Sequence, residues 1–181
     1  MFKSQLIMDY SSILLTFMQV SVAFVGFSAI IAAFQSKETL TMRKSDAVGL
    51  ELIINTGLMG GFLSILPFVF FGFGLEESEV WGFCSGIVSV IYLAFIYYLF
   101  KRIHIKKFKR LKTKIIIAIY FIIGVSAMIL NCLNTFGIQF DQEFTPYLIG
   151  LIYPLCLVGF MFSRFLFVPI WRRLREQEES L

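Results

Sequence analysis

The sequence predicts an all-α integral membrane protein whose five transmembrane helices form one bundle. Of its 181 residues 58% are hydrophobic and 15% are charged, whereas an ordinary soluble domain is about 25% charged. Only Glu51 and Arg164, of 16 basic and 12 acidic residues, lie inside the apolar runs. Each run is long enough to cross a hydrocarbon core about 30 Å thick. The five predicted spans are residues 12–34, 48–73, 80–100, 115–137 and 146–170.

The distribution of lysine and arginine predicts the orientation of the chain. Residues 35–47, 101–114 and 171–181 hold fourteen of the sixteen basic residues, and an excess of basic residues marks cytoplasmic loops. The N-terminus is therefore expected outside and the C-terminus inside, in a multi-pass protein of the cytoplasmic (inner) membrane. The alternative is four spans preceded by a re-entrant first segment.

The first span is expected to be a retained helix, because no small-residue cleavage pattern follows it. It carries small and polar residues at helical spacing, broken only by Ile30, which places them on one side of the helix. We call this set the α1 row: Asp9, Ser12, Thr16, Gln19, Ala23, Gly26 and Ala33.

The second span is expected to begin in water with an N-cap at Ser45-Asp46. It then carries Glu51 and, one turn deeper, Asn55. Glu51 lies seven residues, or roughly 10 Å, beyond Lys44. Further along, Gly57-x-x-x-Gly61 predicts a close approach of another helix.

The third span repeats this glycine spacing, and a basic segment follows it. Gly82-x-x-x-Gly86 predicts a second close approach. The basic cytoplasmic loop, residues 101–114, lies between two spans, which favours contact with anionic lipid headgroups. A protein partner is the next interpretation, and nucleic acid is not expected. The expected lipid contacts are Lys101, Arg102, Lys106, Lys107, Lys109 and Arg110.

The fourth span carries a matching row of small and polar residues: Tyr120, Gly124, Ala127, Asn131 and Asn134. Thr16, Gln19, Asn131 and Asn134 are predicted to form an outer polar cluster in a common interior between the first and fourth helices. Their amides either join helices by hydrogen bonds or line a hydrated vestibule. Gly26 and Gly124 complete the predicted helix-packing positions.

The fifth span carries Arg164, about 10 Å before Trp171 at the cytoplasmic end. Ionisable groups inside a membrane are expensive and usually form pairs or line an aqueous path. We therefore predict an intramembrane charge pair of Glu51 and Arg164, with Asn55 within reach. Two alternatives stay open: Arg164 extends to the headgroups, or the membrane boundary lies nearer Ile53. Pro67 and Pro154 are each expected to bend their helix.

The usual sets of catalytic residues are absent from the spans. No span contains histidine, His104 lies among cations, and Gly72-Phe73-Gly74 is followed by leucine rather than the aspartate of intramembrane aspartyl proteases. Cys84, Cys132 and Cys156 have no paired spacing and are expected to be packing residues. The sequence therefore predicts no enzymatic activity, no metal site and no cofactor.

Several short segments resemble those of short, uncharacterised bacterial multi-spanning inner-membrane proteins. The first three are Gly26-Phe27-Ser28-Ala29-Ile30-Ile31-Ala32, Lys44-Ser45-Asp46-Ala47 and Leu63-Ser64-Ile65-Leu66-Pro67. Three more follow: Leu133-Asn134-Thr135-Phe136-Gly137, Tyr147-Leu148-Ile149-Gly150-Leu151 and Phe162-Ser163-Arg164-Phe165-Leu166. The resemblance implies a bacterial membrane location and an isolated in-membrane arginine at Arg164. It implies no activity.

These features lead to three expected functions, none of them enzymatic. The first is an oligomeric small-ion channel or pore-like protein, because five helices are few for a self-contained transporter and a homo-oligomer can share a pore. The alternatives are a regulatory or scaffolding subunit of a membrane complex and a small transporter subunit.

Overall fold

The structure is a computed structural model that describes residues 2–38, 44–102 and 111–178, and within them the side chains of 10–33, 47–98, 101, 115–116 and 118–167. The described residues contain five helices and no strand. The helices are α1 (Phe2–Glu38), α2 (Lys44–Gly72), α3 (Glu77–Arg102), α4 (Leu111–Thr135) and α5 (Phe144–Glu178).

All five helices are long and apolar enough to cross a membrane, which confirms the predicted fold class. Their apolar parts are Tyr10–Ala33, Ala47–Gly72, Glu77–Tyr98, Ala118–Thr135 and Phe144–Phe167. The first is 24 residues of continuous helix, so the first segment has the length of a full span and the re-entrant alternative is not needed. A multi-pass membrane protein follows from these helices.

Glycines with positive φ end two of the helices close to the predicted boundaries. α4 stops at Thr135, two residues before the predicted end, because Gly137 has φ 64°. The amide of Ile138 donates to the Leu133 carbonyl over 3.0 Å, and that of Gly137 donates to Asn134 over 3.3 Å, which is the Schellman arrangement. α2 stops at Gly72, and Gly74 has φ 80°.

The start of α3 is capped by its own acidic side chains. The Glu76 amide donates to Oε2 of Glu79 over 3.0 Å, as in one half of a capping box. Glu77 and Glu79 lie in the first turn, where negative charge is stabilised by the helix dipole.

The described chain divides into two compact units, and α2 and α5 each run through both. The first unit holds α1, α2 as far as Ser64, and α5 from Pro154. Its core is Ile53, Val158 and Phe165, against which Phe24 and Phe162 pack. The two packed rings meet edge to face, with 5.4 Å between their centroids.

The second unit, residues 65–153, holds α3, α4, the end of α2 and the start of α5. Trp81 of this unit is fully buried. Its ring contacts Phe71, Phe144 and Tyr147 at centroid distances of 5.6, 4.9 and 5.8 Å. Aromatic packing therefore joins α2, α3 and α5 in this unit.

Candidate functional site

Asn134 on α4 fixes the point at which the chain enters α5. The side chain is fully buried. Its Nδ2 donates to Oγ of Ser85 over 2.8 Å and to the Glu143 carbonyl over 3.0 Å, while its Oδ1 accepts from the Glu143 amide over 3.0 Å. One amide thus satisfies both backbone groups of Glu143 and links α3, α4 and α5.

Asn131, one turn earlier on α4, holds the next turn of α5. Its Nδ2 donates to the Pro146 carbonyl over 3.1 Å and to the Ala127 carbonyl over 2.9 Å. The side chain is fully buried. A Cβ built on Gly150 would lie 2.8 Å from this Nδ2 and 3.1 Å from Cγ1 of Val88. Only glycine at 150 allows α5 to approach Asn131 this closely.

Tyr92 on α3 holds the third point of α5, where the helix has lost an internal hydrogen bond. Proline has no N–H, so Pro154 cannot donate to the carbonyl four residues earlier, which is that of Gly150. The buried Tyr92 hydroxyl donates to this carbonyl. Its ring meets Tyr153 edge to face, with 5.4 Å between the centroids.

Side chains therefore bond the backbone of residue 143, just before α5, and the α5 carbonyls of residues 146 and 150. We call Asn131, Asn134 and Tyr92 the α5 clamp. Its members donate hydrogen bonds to backbone carbonyls within apolar spans, where an unsatisfied polar group is costly. The arrangement joins helices, and it presents no nucleophile and no acid–base pair. Within the described ranges, no group of three His, Cys, Asp or Glu side chains is placed to hold a metal ion.

The α1 row lies on the face of its helix that the chain leaves exposed. Thr16, Gln19, Ala23 and Gly26 are all exposed, and Oγ1 of Thr16 donates only along its own helix, to the Ser12 carbonyl over 2.8 Å. The buried face of α1 instead carries Leu14, Ser21 and Ser28, which lie about 200° around the helix from the row.

The four residues of the predicted outer polar cluster thus differ in burial. Asn131 and Asn134 are buried in the second unit, whereas Thr16 and Gln19 are exposed on α1 in the first. The common interior for all four stays a prediction. The described contacts of the two asparagines are those of the α5 clamp.

Four of the predicted packing glycines lie against a neighbouring element. A Cβ built on Gly57 would be 2.5 Å from Cγ2 of Val25, and one on Gly124 would be 2.6 Å from the Tyr153 hydroxyl. The corresponding distances are 2.8 Å for Gly82, to Nε2 of Gln142, and 3.2 Å for Gly86, to Cγ2 of Thr135. Each glycine leaves the space that its neighbour fills.

The other two predicted packing glycines do not make a close approach to any described atom. No such atom lies within 4 Å of a Cβ built on Gly26 or Gly61. The contact predicted for Gly61 is made by Gly60, whose Cβ position is 3.1 Å from Oγ of Ser21. The reason is geometric: the α1 surface meets α2 at positions three residues apart, not four. Gly60 and Gly150 were not predicted as packing positions. The sequence signals for them are the Gly57-x-x-Gly60 spacing for Gly60 and the Gly150-x-x-x-Pro154 spacing for Gly150.

Glu51, Asn55 and Arg164 are all exposed side chains of the first unit. Cζ of Arg164 lies 5.9 Å from the centroid of the Phe160 ring, one turn earlier on α5. The pairing of Arg164 with Glu51 stays a prediction.

The basic segment after α3 is described only in part. The side chain of Lys101 is exposed. The side chain of Arg102, and Lys106, Lys107, Lys109 and Arg110 as a whole, lie outside the described residues, so their lipid contacts stay predictions. The three cysteines are free thiols; Cys84 is buried, and Cys132 and Cys156 are exposed.

No family model, curated protein or solved structure matches the chain. The geometry of the α1 row and of the α5 clamp is therefore the basis for assigning a function.

Proposed function

We propose that this protein is a non-enzymatic subunit of a homo-oligomeric small-ion channel whose pore is lined by the α1 row. The observation that carries the proposal is that Gln19 and its neighbours in the row form the exposed face of an apolar helix. The protein is further proposed to lie in the cytoplasmic (inner) membrane of a bacterium, with its N-terminus outside and its C-terminus inside. The distribution of basic residues supports that orientation.

The depth of Gln19 makes its exposure informative. It lies nine residues from Tyr10, where the apolar part of α1 begins, which corresponds to about 14 Å along the helix. This is close to the middle of a hydrocarbon core about 30 Å thick. A primary amide facing lipid at that depth leaves donors and acceptors without partners, which is unfavourable. Water or another protein surface must therefore cover Gln19.

The α5 clamp explains why a pore between copies is favoured over one inside a single chain. The described polar groups of the clamp donate to neighbouring helices, so they are used in packing the second unit. Gln19, Ala23 and Gly26 of the α1 row are instead exposed. The row is also flanked by exposed apolar side chains, such as Leu15, Val22 and Phe27 at 47%, 53% and 59% exposure. These flanks suit contacts with adjacent copies, while the polar row faces a shared lumen.

A second candidate function is supported by Gly26. No described atom lies within 4 Å of its Cβ position, and Ala23 beside it is also small and exposed. Small residues allow a helix of another membrane protein to approach closely. In this case the chain is a regulatory or scaffolding subunit, and the α1 row is its docking surface for the partner helix.

Conductance of the purified protein in planar bilayers tests the channel proposal. Gln19→Leu removes the polar group and is expected to reduce the current, because the lumen loses a group that hydrates the ion. Gln19→Glu places a charge in the lumen and is expected to shift the reversal potential toward cation selectivity. Val90→Leu, an exposed apolar substitution on α3, is the matched control and is expected to change neither quantity.

Two results would contradict the channel. One is the absence of conductance from protein shown to be folded and oligomeric. The other is a current that neither Gln19 variant changes. The second candidate would be established by a protein that conducts no ions but binds another membrane protein, if Gly26→Leu abolishes this binding and Val90→Leu retains it.

A further inference from the structure

Asn131 has one side-chain polar atom that the α5 clamp does not use. Its Nδ2 donates to two backbone carbonyls, those of Ala127 and Pro146. Its Oδ1 is buried, and no described residue donates a hydrogen bond to it. A buried amide oxygen without a donor is unfavourable, and it is more so inside an apolar span. A donor for this oxygen must therefore come from outside the described set of bonds.

The orientation of the Asn131 amide is fixed by its neighbours. Turning the amide over would place Oδ1 against the carbonyl oxygens of Ala127 and Pro146, which Nδ2 now bonds. That exchange would replace two hydrogen bonds with two repulsive contacts between acceptors. Oδ1 therefore points away from both carbonyls, and its donor approaches from another side.

Ser85 on α3 keeps a hydroxyl hydrogen that can serve this site. Its Oγ accepts a bond from Nδ2 of Asn134 over 2.8 Å, and a hydroxyl that accepts one bond still has its hydrogen to donate. The neighbouring hydroxyls are used elsewhere. Thr135 donates to the Asn131 backbone carbonyl over 2.9 Å, and Ser89 donates to the Ser85 backbone carbonyl over 2.9 Å.

Ser85 and Asn131 lie next to each other between α3 and α4. Ser85 bonds Asn134, which is beside Asn131 because residues three apart are neighbours on a helix surface. Val88, one turn after Ser85, is also close: the Cβ position of Gly150 is 3.1 Å from Cγ1 of Val88 and 2.8 Å from Nδ2 of Asn131. The Ser85 hydroxyl does not itself reach Oδ1. A gap of this kind between two polar groups is characteristic of a bridging water.

We propose that one water molecule is bound between α3 and α4, where it donates to Oδ1 of Asn131 and accepts from the Ser85 hydroxyl. Both side chains are fully buried within the apolar parts of their helices, and buried waters make about two to four such bonds. The bonds then run without a break from the Glu143 carbonyl through Asn134, Ser85, the water and Asn131 to the Pro146 carbonyl. The site belongs to the second unit alone and does not require α1 to line a pore.

A crystal structure of the full-length protein, at a resolution that shows ordered water, tests this site directly. One density peak is expected within about 2.7–3.2 Å of both Oδ1 of Asn131 and Oγ of Ser85. The same measurement on variants identifies which groups hold the water.

Two variants remove the proposed partners one at a time. Ser85→Ala removes the donor to the water and is expected to lose the peak. Asn131→Leu removes the acceptor and is also expected to lose it, while the bond between Ser85 and Asn134 remains. Ser89→Ala is the matched control, because it removes a hydroxyl one turn away on the same helix, and it is expected to keep the peak. The parent and Ser85→Ala decide the question if Asn131→Leu does not fold.

The thermal unfolding midpoint in detergent gives a second measurement. Ser85→Ala is expected to lower the midpoint less in the Asn131→Leu background than in the parent, because the bridge is already lost there. Ser89→Ala is expected to lower it equally in both backgrounds.

Four results would overturn the proposal. The first is a parent structure without a peak beside Oδ1. The second is a protein donor bonded directly to that oxygen. The third is a peak surrounded by about six or more oxygen ligands, which would be a metal cation rather than water. The last is a peak that persists in Ser85→Ala, or a midpoint change from Ser85→Ala that is the same in both backgrounds.

Discussion

Substituting Gly57 with alanine is expected to leave the protein less stable than the same substitution at Gly61. The two glycines are four residues apart on α2 and belong to one Gly-x-x-x-Gly motif. A Cβ on Gly57 would lie 2.5 Å from Cγ2 of Val25 and 3.4 Å from the Ser21 carbonyl oxygen. No described atom lies within 4 Å of a Cβ on Gly61. Gly61→Ala is thus the matched control for Gly57→Ala.

The expected magnitude follows from two contributions. Alanine is more favourable than glycine inside a helix by about 1 kcal/mol, and this gain applies to both variants. Unstrained contacts between carbon atoms need about 3.5 Å. Val25 is β-branched and has little rotamer freedom in a helix, so its side chain cannot turn away from the new methyl group of Gly57→Ala. The helices α1 and α2 must therefore separate by about 1 Å. Such overpacking costs about 1–3 kcal/mol. Gly61→Ala is therefore expected to stabilise by about 1 kcal/mol, and the two variants to differ by about 1–3 kcal/mol.

The free energy of unfolding is measured in detergent micelles by chemical denaturation followed by far-UV circular dichroism. Val25→Ala removes the atom that the added methyl group would meet, so it is expected to recover part of the stability lost in Gly57→Ala. The same Val25→Ala change in the Gly61→Ala background is expected to show no such coupling. Equal effects of the two glycine substitutions, or a rescue that is the same in both backgrounds, would refute the assigned contact between α1 and α2.

The α5 clamp leads to two further predictions, measured by the same unfolding assay. Asn134→Leu is expected to destabilise by about 2–4 kcal/mol, because it removes three hydrogen bonds of a buried amide and leaves the backbone N–H and carbonyl of Glu143 without their described partner. A change below about 0.5 kcal/mol would contradict the bonded geometry. Tyr92→Phe is expected to lower the free energy of unfolding by about 1 kcal/mol in the parent. The loss is expected to be smaller in the Pro154→Ala background, because the new N–H at residue 154 can bond the Gly150 carbonyl. An equal loss in both backgrounds would contradict the role assigned to the Tyr92 hydroxyl.

The presence of five long apolar helices was predictable because it depends on local properties. Long apolar runs and the positions of charges are visible in the sequence, and Gly137 ends α4 through its own backbone conformation. The partners of the helices were less predictable, because they depend on which surfaces meet. Spacing alone treats Gly57, Gly60 and Gly61 as similar; only the approach of Ser21 and Val25 distinguishes them.

The same limitation applies to the carbonyl of Gly150. The sequence shows that Pro154 cannot donate to it, but it does not show which residue takes that place. Tyr92 is 58 residues away along the chain, and nothing local to α3 identifies its hydroxyl as the donor. Pairings of this kind depend on tertiary geometry, so they required the structure.

The rows on α1 and α4 illustrate how two similar patterns can have different structural roles. Both repeat small and polar residues at steps of three and four. On α4 four of the five row residues are buried, all but Tyr120. Asn131 donates to the Pro146 carbonyl of α5, and Asn134 donates to the Glu143 carbonyl just before that helix. On α1 Gln19 and Gly26 are exposed, and the buried face carries Ser21 and other residues outside the row.

This difference is the physical argument for an assembly. In lipid there is little gain from burying apolar side chains, so helices associate through close packing and interhelical hydrogen bonds. On α4 the side-chain N–H groups of Asn131 and Asn134 bond within the chain, whereas on α1 the Gln19 amide is exposed about 14 Å from the start of an apolar span. Because a polar group at that depth is unfavourable without a partner, a membrane-embedded form of this protein must provide one. A lumen shared between copies hydrates the amide, whereas a partner helix bonds to it directly. An ion flux that Gln19→Glu alters indicates the lumen, and the absence of flux indicates the partner helix.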